Sequence, residues 1–548
     1  MACAPAPYTD LAHLSVWELL QGTAQRLPDK TAFVDGDKRI TFGELLRSAG
    51  ELAAGMARLG LRKGDMAAIY MPNSMELVTS FYALQKLGVA VAWINPAYRE
   101  KEAGYILKDS RAKAVLAPEK RQDFGYLEAL RTMQPELPHL EHIIVTSAGS
   151  KAPVDMPSVH LLKDLAVGAG SSSSGGEPAV GPDDLCMLLY TSGTTGQPKG
   201  AMIGQSQTVR AGMSYALVVD AQEDDVFLAF LSMGHSYGCG ALLIQPVVLG
   251  ATAVIMETFR PKEAFRLIQE ERVTLQPGAP AHYLMELSSP DRQNYDLSSL
   301  RAGMIAGQIA PAGLIRRVED EMGVYISSFL GSSEVGPGNS ILLPYGSSME
   351  DRESSIGKPI PGTQIKIIDP VSGVELPDGE TGELLLSGWH VMRGYWHKPE
   401  ETQRQVKDGW MHTGDLAARD ERGNVRILGR LKEWINRGGF KILPSELEAL
   451  LVHHPDVAEA CVVNTPNPVL GESICACLKL KDGTKTLALN DVREYLADKV
   501  AKFKLPDELV IFEEFPRMPG GLKVNRFGGG GVIDLAKIDP KRQTLHPA

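Results

Sequence analysis

The residues best suited to chemistry form a loop of hydroxyl groups and glycines that ends in a lysine. The run LLYTSGTTGQPKG, residues 188–200, leads from an apolar strand into this loop. Glycines let backbone N–H groups turn toward an anion, hydroxyls donate further hydrogen bonds, and the lysine adds positive charge. We therefore predict a polyphosphate-binding loop made of Thr191, Ser192, Gly193, Thr194, Thr195, Gly196 and Lys199. It differs from the Walker pattern, because Gly200 follows the lysine.

Alternating strands and helices must position this loop. An apolar run at residues 65–71 is followed by a helical pattern at 75–87 and by another apolar run at 89–93. Such alternation is typical of parallel strands joined by crossover helices. The uncharged stretch 226–256 is interrupted by glycines and a proline, so we interpret it as a buried strand, helix and strand rather than a membrane span.

The pattern changes after residue 431. A helix is predicted at 444–453, strands at 458–464 and 474–479, and a helix at 489–500, which together indicate a small α+β module. We therefore predict two domains, residues 1–431 and 432–548. The Gly/Ser-rich stretch 167–184 is typical of a surface loop, and GGGG at 528–531 of a flexible turn.

Composition and charge exclude several classes of protein. The net charge of −11 argues against non-specific attraction to nucleic acid or to an anionic membrane. Six cysteines are too sparse for a disulfide framework and lack paired CxxC spacing, so we expect buried thiols in a reducing cytoplasm. No secretory signal is expected, because no basic region precedes an apolar run at the start.

Seven further sequence blocks accompany the phosphate loop. They are LSMGHSYG (231–238), FLGSSE (329–334), IGKPIPG (356–362), GELLLSGWHVMRGYW (382–396), WMHTGDLA (410–417), GRLKEWINRGGFKILPSELE (429–448) and PNPVLGE (466–472). In these blocks and their order the chain resembles the adenylate-forming superfamily, which includes acyl-CoA synthetases, beetle luciferases and the adenylation domains of peptide synthetases. The resemblance extends over residues 14–526.

The resemblance implies an α/β fold with a large N-terminal domain of mixed and parallel sheets flanked by helices, a β-barrel-like subdomain, and a small, mobile α+β C-terminal domain. It implies an ATP-dependent acid–thiol ligase. A carboxylate would attack the α-phosphate of ATP, pyrophosphate would leave, and coenzyme A would take the acyl group and release AMP. Three alternatives stay open: an enzyme that loads a carrier protein, a luciferase-like oxygenase, and a non-catalytic nucleotide- or acyl-binding relative.

The resemblance also implies residue roles in the N-terminal domain. Glu334 matches the family's glutamate for Mg²⁺, and a hard carboxylate oxygen suits that ion. Asp415 resembles the acid that binds the ribose hydroxyls, and Arg430 the residue that contacts ribose and phosphate. Nucleotide contacts are also implied for Gly307, Gln308 and Ile309, where AGQI replaces the common GGAP, and for Gly331, Ser332 and Ser333.

The expected acyl substrate follows from another block. His235 matches a position that gates the acyl pocket of acyl-CoA synthetases. Amino-acid adenylating domains carry an acid in this region, so the neutral Gly234 and His235 argue against a free α-amino acid. Four small residues predict space in the acyl pocket for a medium, branched, cyclic or aromatic acid. These residues are Ala302, Gly303, Gly336 and Gly338.

The C-terminal blocks imply a hinge and a thiol path. Lys432 lies at the family's hinge, Gly438 and Gly439 resemble the segment that approaches the thiol, and Lys441 matches a phosphate contact, although an exposed lysine explains it equally well. The family ends in a pattern like PRTxxGK, whose lysine bridges carboxylate and α-phosphate. This chain has PRMPGGLKVNR at 516–526. We assign that role to Lys523 through a one-residue insertion, with Arg526 as the alternative.

The expected partners are coenzyme A and a small carboxylic acid, with no nucleic acid and no transmembrane segment. A homodimer remains open.

Overall fold

The computed structural model describes most of the chain. The described residues are 11–146, 158–166, 179–191, 197–437, 440–481, 483, 486–517, 524–526, 530–539 and 541–545, without the side chains of Lys432 and Lys441. They divide into two compact units. One comprises residues up to 365 together with 386–411, and the other comprises 366–385 together with the residues from 412 onward.

The described strands follow the chain in this order: β1 (Thr31–Asp35), β2 (Lys38–Thr41), β3 (Met66–Ile69), β4 (Ala90–Trp93), β5 (Ala114–Ala117), β6 (His142–Val145), β7 (Val159–Leu161), β8 (Leu185–Thr191), β9 (Lys199–Gly204), β10 (Val226–Ala229), β11 (Thr252–Ile255), β12 (Leu275–Gly278), β13 (Ala302–Ile305), β14 (Tyr325–Leu330), β15 (Ile341–Leu342), β16 (Lys358–Pro359), β17 (Thr363–Ile368), β18 (Gly382–Gly388), β19 (Val406–Lys407), β20 (Trp410–Arg419), β21 (Val425–Arg430), β22 (Ile435–Arg437), β23 (Phe440–Ile442), β24 (Val457–Asn467), β25 (Gly471–Leu480), β26 (Glu508–Ile511) and β27 (Gln543–Thr544).

The described helices are α1 (Val16–Arg26), α2 (Phe42–Arg58), α3 (Met75–Leu87), α4 (Glu100–Ser110), α5 (Tyr126–Met133), α6 (Leu162–Ala166), α7 (Gln205–Val219), α8 (Ser236–Gly238), α9 (Gln245–Leu249), α10 (Pro261–Glu271), α11 (Pro280–Leu287), α12 (Leu314–Met322), α13 (Met349–Ser354), α14 (Pro399–Gln405), α15 (Pro444–Leu451), α16 (Leu489–Leu496) and α17 (Val532–Ile538).

These strands form four sheets within the described residues. A nine-stranded sheet has the order β16-β15-β14-β13-β12-β10-β11-β1-β2, and a seven-stranded sheet the order β7-β6-β5-β3-β4-β8-β9. A five-stranded sheet has the order β17-β18-β20-β19 with β21 against β20. A six-stranded sheet has the order β23-β22-β25-β26-β27 with β24 against β25. The predicted α/β class is confirmed, with the five-stranded sheet as the barrel-like part.

The first predicted strand–helix–strand unit shows how the sequence builds the large sheets. Ser74 caps α3 through its side chain, and Gly88 ends the helix with a φ of 68°, a left-handed conformation that favours glycine. The flanking strands β3 and β4 then pair in parallel, as predicted. Both strands are buried on both faces, which explains their continuous apolar sequence.

The uncharged stretch 226–256 is also confirmed as strand, helix and strand. Strands β10 and β11 pair in parallel, and a π-helical segment, Cys239–Ile244, joins α8 to α9 between them. In the described part of the chain, no helix is long and apolar enough to cross a membrane.

The second unit contains the predicted α+β elements. Its four expected helices and strands correspond to α15, β24, β25 and α16, although α16 ends at Leu496, four residues before the predicted end. Apolar residues of α15, β24 and β25 share one core, which includes Leu447, Val462 and Ile474. The predicted division between residues 431 and 432 concerns a moving module and stays a prediction.

Candidate functional site

The two ends of the predicted phosphate loop lie opposite each other. Strand β8 ends at Thr191, strand β9 begins at Lys199, and these two residues are antiparallel register partners. Both strands are mostly buried, and Lys199 at the start of β9 is only 8% exposed. The loop residues Ser192, Gly193, Thr194, Thr195 and Gly196 lie outside the described residues.

A segment from the block GWHVMRGYW lies alongside β9. Arg393 donates its backbone N–H to the Met202 carbonyl at 3.0 Å, and Met202 donates back to the Gly394 carbonyl at 2.9 Å. Gly394 has a φ of 132°, which a side chain would make unfavourable. This pairing places the ring of Tyr395 against the ammonium of Lys199, with 5.2 Å between Nζ and the ring centroid.

Tyr395 also contacts the predicted metal ligand. Its hydroxyl donates to Oε1 of Glu334 at 3.0 Å, and the Met392 backbone N–H donates to the Glu334 carbonyl at 2.7 Å. Burial raises the pKa of Tyr395 well above its ordinary value, and the Glu334 charge adds to this effect, whereas a hydrogen bond with Thr191 opposes it. Tyr395 therefore remains a protonated donor at physiological pH.

Tyr395 thus brings Thr191, Lys199 and Glu334 together. These three residues were singled out from the sequence, whereas Tyr395 was not. The available signal was its place in the block GELLLSGWHVMRGYW, but an aromatic residue in an apolar context is ordinarily a core residue. The backbone pairing with β9 places Tyr395 where its hydroxyl donates to the Glu334 carboxylate, and the sequence does not show this contact.

The residues before Glu334 turn sharply at the carboxyl end of β14. Ser332 precedes a short 3₁₀ turn, Ser333–Val335, and the Val335 N–H donates to its carbonyl at 3.1 Å. A Cβ on Gly331 would lie 2.6 Å from the carbonyl oxygen of Gly338, so no larger residue fits there. The predicted contacts of Gly331, Ser332 and Ser333 are therefore on a tight, partly exposed turn.

The predicted adenine-side segment follows the neighbouring strand. Strands β13 and β14 are parallel partners, so their carboxyl ends share one edge of the sheet. Gly307 has a φ of 85°, Gln308 is exposed, and Ile309 is 58% exposed. Such exposure of a large apolar side chain next to the turn at Glu334 is suited to contact with a planar ring.

His235 lies where the chain leaves β10 and enters α8. Its Nδ1 accepts a hydrogen bond from the Tyr237 N–H at 3.4 Å. The imidazole is exposed, yet the surrounding protein is dense enough that desolvation lowers the pKa of His235. The lowered pKa favours a neutral imidazole at physiological pH.

Tyr237, two residues after His235, belongs to a buried cluster of aromatic rings. Tyr237 donates to the Met304 carbonyl at 3.0 Å and stacks on Tyr215 with 5.8 Å between ring centroids. Phe329 meets the Tyr237 ring edge-to-face at 4.9 Å. The side chains that contact Tyr237 are therefore aromatic and tightly packed.

Two glycines expected to widen the acyl pocket do not do so. A Cβ on Gly303 would overlap the hydroxyl of Tyr283, and one on Gly338 would lie 2.9 Å from the Cβ of Ala211. The space beside both residues is already filled by neighbouring side chains. Their small size serves close packing, so this part of the sequence prediction was wrong.

In the second unit, Asp415 and Arg430 face each other across strands β20 and β21. They are register partners, and Nε of Arg430 lies 2.8 Å from Oδ1 of Asp415. The Arg430 side chain also donates to the Thr413 carbonyl at 3.2 Å. Asp415 is only 7% exposed, whereas the Arg430 side chain is 47% exposed. The predicted ribose-binding pair is therefore preassembled within one hairpin.

A buried glutamate shapes the turn that presents Asp415. Glu383 accepts from the Gly414 N–H at 3.3 Å and lies 3.0 Å from Nδ1 of His412. Gly414 has a φ of 68°, the left-handed conformation that glycine favours. Sequence reasoning overlooked Glu383, the second residue of β18 within the block GELLLSG.

The remaining predicted residues are only partly described. The backbone of Lys432 is in a short helical turn and that of Lys441 in β23, while Gly438, Gly439 and Lys523 lie outside the described residues. Arg526, the alternative to Lys523, has its NH2 group 2.7 Å from Oε1 of Glu448, and both side chains are mostly buried. Its guanidinium is therefore already paired with a carboxylate inside this unit.

Comparison with known families and proteins gives consistent matches. The family model described as AMP-binding enzyme matches residues 20–396, and that of the AMP-binding enzyme C-terminal domain matches residues 446–521. The medium-chain acyl-CoA ligase ACSF2, mitochondrial, of Mus musculus is 31% identical over 544 residues, which cover 94% of this chain and 87% of that protein.

Two solved structures share the fold over nearly the whole chain. The anthranilate CoA ligase AuaEII in complex with anthranoyl-AMP aligns with a TM-score of 0.84 at 27% identity, covering 94% of this chain and 97% of that one. ATP-bound MatB from Rhodopseudomonas palustris aligns with a TM-score of 0.82 at 26% identity, covering 93% and 97%.

Proposed function

This chain belongs to the AMP-binding enzyme family, and from that premise we propose that Lys199, Glu334 and Tyr395 form the phosphate-binding end of its active site. The chain is an AMP-forming acid–thiol ligase. It uses ATP to convert a carboxylic acid into an acyl-adenylate and pyrophosphate, and then forms the coenzyme A thioester and AMP. The observation that carries the proposed site is the contact of one tyrosine with both Lys199 and Glu334.

Lys199 supplies positive charge where two anions meet. The first step brings a carboxylate to a polyphosphate, so charge neutralisation and alignment contribute more than acid–base catalysis. A lysine that is only 8% exposed and packed over an aromatic ring is held in place before ATP arrives. Thr191, its partner across the strand pair, adds a hydroxyl donor at the same edge.

Glu334 fits a magnesium ion. Its carboxylate offers a hard oxygen ligand, and Tyr395 fixes one of the two oxygens through a hydrogen bond. Mg²⁺ in phosphate-binding sites usually keeps several waters and needs only one or two carboxylates, so Glu334 would hold it without further protein ligands. When bound, Mg²⁺ neutralises phosphate charge.

Asp415 and Arg430 bind the ribose. A carboxylate accepts hydrogen bonds from two neighbouring hydroxyls, and the exposed part of the Arg430 guanidinium remains available to phosphate. Gly307, Gln308 and Ile309 contact the base. We retain Lys523 as the lysine that bridges carboxylate and α-phosphate during adenylation, and Lys441 as a contact of the adenylate phosphate. Lys432 is retained as the hinge between the two half-reactions, with Gly438 and Gly439 as the thiol path of the second.

The acyl substrate is a medium-chain, branched, cyclic or aromatic acid. The neutral His235 supports an uncharged acyl group, and the nearby aromatic residues Tyr237 and Phe329 support a flat or apolar one. Relatives named for medium-chain acids and for anthranilate support the same range. We place the enzyme in the cytoplasm, which is supported by five buried, free cysteines among the described residues.

A pyrophosphate-release assay tests the function and the site together. The protein is incubated with ATP, Mg²⁺ and a panel of aryl, cyclic and aliphatic acids, with and without coenzyme A. Thioester formation that requires coenzyme A supports the ligase. Pyrophosphate release without coenzyme A turnover indicates a carrier-protein loader, and no release with any acid indicates a non-catalytic binder.

A lysine variant tests the site itself. Replacing Lys199 with methionine should lower kcat/KM about 100-fold, because one charged donor to the phosphates is lost. Lys262→Met, at an exposed position on α10, is the matched control and should retain full activity. Equal activity of the two variants contradicts the proposed role of Lys199.

A further inference from the structure

Helix α4 contacts the residues that flank the phosphate loop. The hydroxyl of Tyr105, on this helix, donates to the backbone carbonyl of Pro198 at 2.9 Å. Pro198 directly precedes Lys199 in the chain. The tyrosine therefore fixes the position at which β9 begins.

One turn further along α4, Asp109 accepts two hydrogen bonds. The Tyr190 hydroxyl donates to its Oδ2 at 2.9 Å, and Nζ of Lys398 donates to its Oδ1 at 2.8 Å. The side chains of Asp109 and Lys398 are only 12% and 22% exposed. A mostly buried ion pair with both carboxylate oxygens engaged has a well-defined geometry.

These two donors come from different parts of the proposed site. Tyr190 directly precedes Thr191, and its ring lies 3.1 Å from where a Cβ on Gly200 would be. Lys398 follows Tyr395 by three residues and donates its backbone N–H to the Tyr395 carbonyl at 3.1 Å. A single carboxylate thus joins the strand that ends at Thr191 to the turn that carries Tyr395.

The protonation states agree with this arrangement. Burial raises the pKa of Tyr190 far above its ordinary value, and the Asp109 charge adds to this effect, so the hydroxyl keeps its proton. Burial pulls the pKa of Lys398 down, but its hydrogen bond and charge interaction with Asp109 outweigh that effect and raise it. Both groups therefore remain donors to Asp109.

We propose that Asp109 and Tyr105 are positioning residues that set the distance between Thr191, Lys199 and Tyr395 before ATP binds. Neither residue contacts substrate. Asp109 aligns the two segments that meet at Tyr395, and Tyr105 anchors the segment that carries Lys199. This inference rests on the proposed function of Lys199 and Tyr395.

The test compares the KM for ATP in four variants, using pyrophosphate exchange. Tyr105→Phe and Tyr190→Phe each remove one hydroxyl and should raise the KM for ATP about three- to tenfold. Asp109→Asn retains one acceptor at most and should raise it more than tenfold. Tyr126→Phe is the matched control, because it removes a hydroxyl that donates to the Pro96 carbonyl at 2.6 Å.

Further readouts separate positioning from general destabilisation. The KM values for the acid and for coenzyme A should be unchanged, and thermal unfolding should match that of Tyr126→Phe. Thioester formation from a supplied acyl-adenylate should also proceed at the normal rate. Asp109→Asn combined with Lys398→Met should raise the KM for ATP by less than the product of the single effects, because both act on one ion pair.

The outcomes distinguish failure of the positioning role from failure of the proposed site at Lys199 and Tyr395. If Lys199→Met is inactive but Asp109→Asn and Tyr190→Phe bind ATP normally, the site stands and the positioning role is overturned. If Lys199→Met is fully active, both proposals fail. Equal increases of all three KM values with a lower unfolding temperature would assign Asp109 a general structural role and overturn the inference.

Discussion

Removing the hydroxyl of Tyr395 tests the centre of the proposed site. Tyr395→Phe keeps the ring below Lys199 but deletes the 3.0 Å hydrogen bond to Glu334. The variant therefore removes the hydroxyl's contacts with Glu334 and Thr191 and leaves the ammonium–ring contact in place. If Glu334 must be oriented to hold the metal ion and phosphates, adenylation should slow.

The expected magnitude follows from the contact. A hydrogen bond to an ionised carboxylate contributes about 1.5–3 kcal/mol. Glu334 is only partly buried, so solvent screens the interaction and the lower end of that range applies. A loss of about 1.5 kcal/mol corresponds to roughly a tenfold decrease in kcat/KM.

A second substitution extends the series. Tyr395→Leu removes the aromatic ring as well, and the ring contributes about 0.5–1 kcal/mol to holding Lys199 at 5.2 Å. We expect a further two- to fivefold decrease for this variant, an order-of-magnitude figure from that energy. The order of activity should therefore be wild type, phenylalanine, leucine.

The assay is pyrophosphate exchange at varied Mg²⁺ and ATP concentrations. Tyr325→Phe serves as the control, because its hydroxyl donates to the Pro344 carbonyl at 3.4 Å near the opposite end of strand β14. Tyr395→Phe should need more Mg²⁺ for half-maximal rate, whereas Tyr325→Phe should not. Equal kcat/KM for both phenylalanine variants would refute the reasoning.

Three further predictions concern the ribose pair and two buried ionisable groups. Asp415→Asn should raise the KM for ATP about tenfold or more, because it loses both the ribose acceptor and the partner of Arg430; steady-state kinetics measure this. Burial lowers the pKa of His390 from 6.5 to about 4, so the unfolded state binds a proton first as the pH falls. The stability that this residue contributes above pH 6.5 is therefore lost as the pH falls toward 4. His390→Gln should reduce this loss by about 3 kcal/mol, measured by urea unfolding. Burial raises the pKa of Glu286 from 4.5 to about 8, so the contribution of Glu286 to protein stability is greatest below pH 4.5 and falls as the pH rises toward 8. Glu286→Gln should stabilise the protein at pH 8 by about 1–3 kcal/mol, since the new amide can also donate to the unpaired oxygen of Gln276.

Controls for these predictions use the same experiments. For the ribose pair, 2′-deoxy-ATP should lose affinity for the wild type and lose little more for Asp415→Asn, and an unchanged KM contradicts the assignment. For His390 and Glu286, the diagnostic readout is the pH dependence of the unfolding free energy. Parallel stability curves of variant and wild type between pH 4 and 8 would contradict both.

The sequence by itself determined the α/β class and the strand–helix alternation, and it predicted the phosphate loop. Apolar runs such as 185–190 specify buried strands, and glycine, hydroxyl and lysine residues directly after a strand predict an anion site, because both signals are local. Glu334, Asp415 and Arg430 were predicted from the sequence as well, because they lie in blocks whose order and spacing resemble a known family.

Tertiary structure alone decided which residues meet. Tyr395 lies 196 positions after Lys199 in the chain, and Asp109 lies 81 before Tyr190, so the contacts within each pair depend on sheet register and helix packing that no local pattern encodes. The same reason explains the error at Gly303 and Gly338, where a small residue predicts space but neighbouring side chains fill it. Residue type shows what chemistry is possible, and packing determines where groups from distant segments come within contact distance.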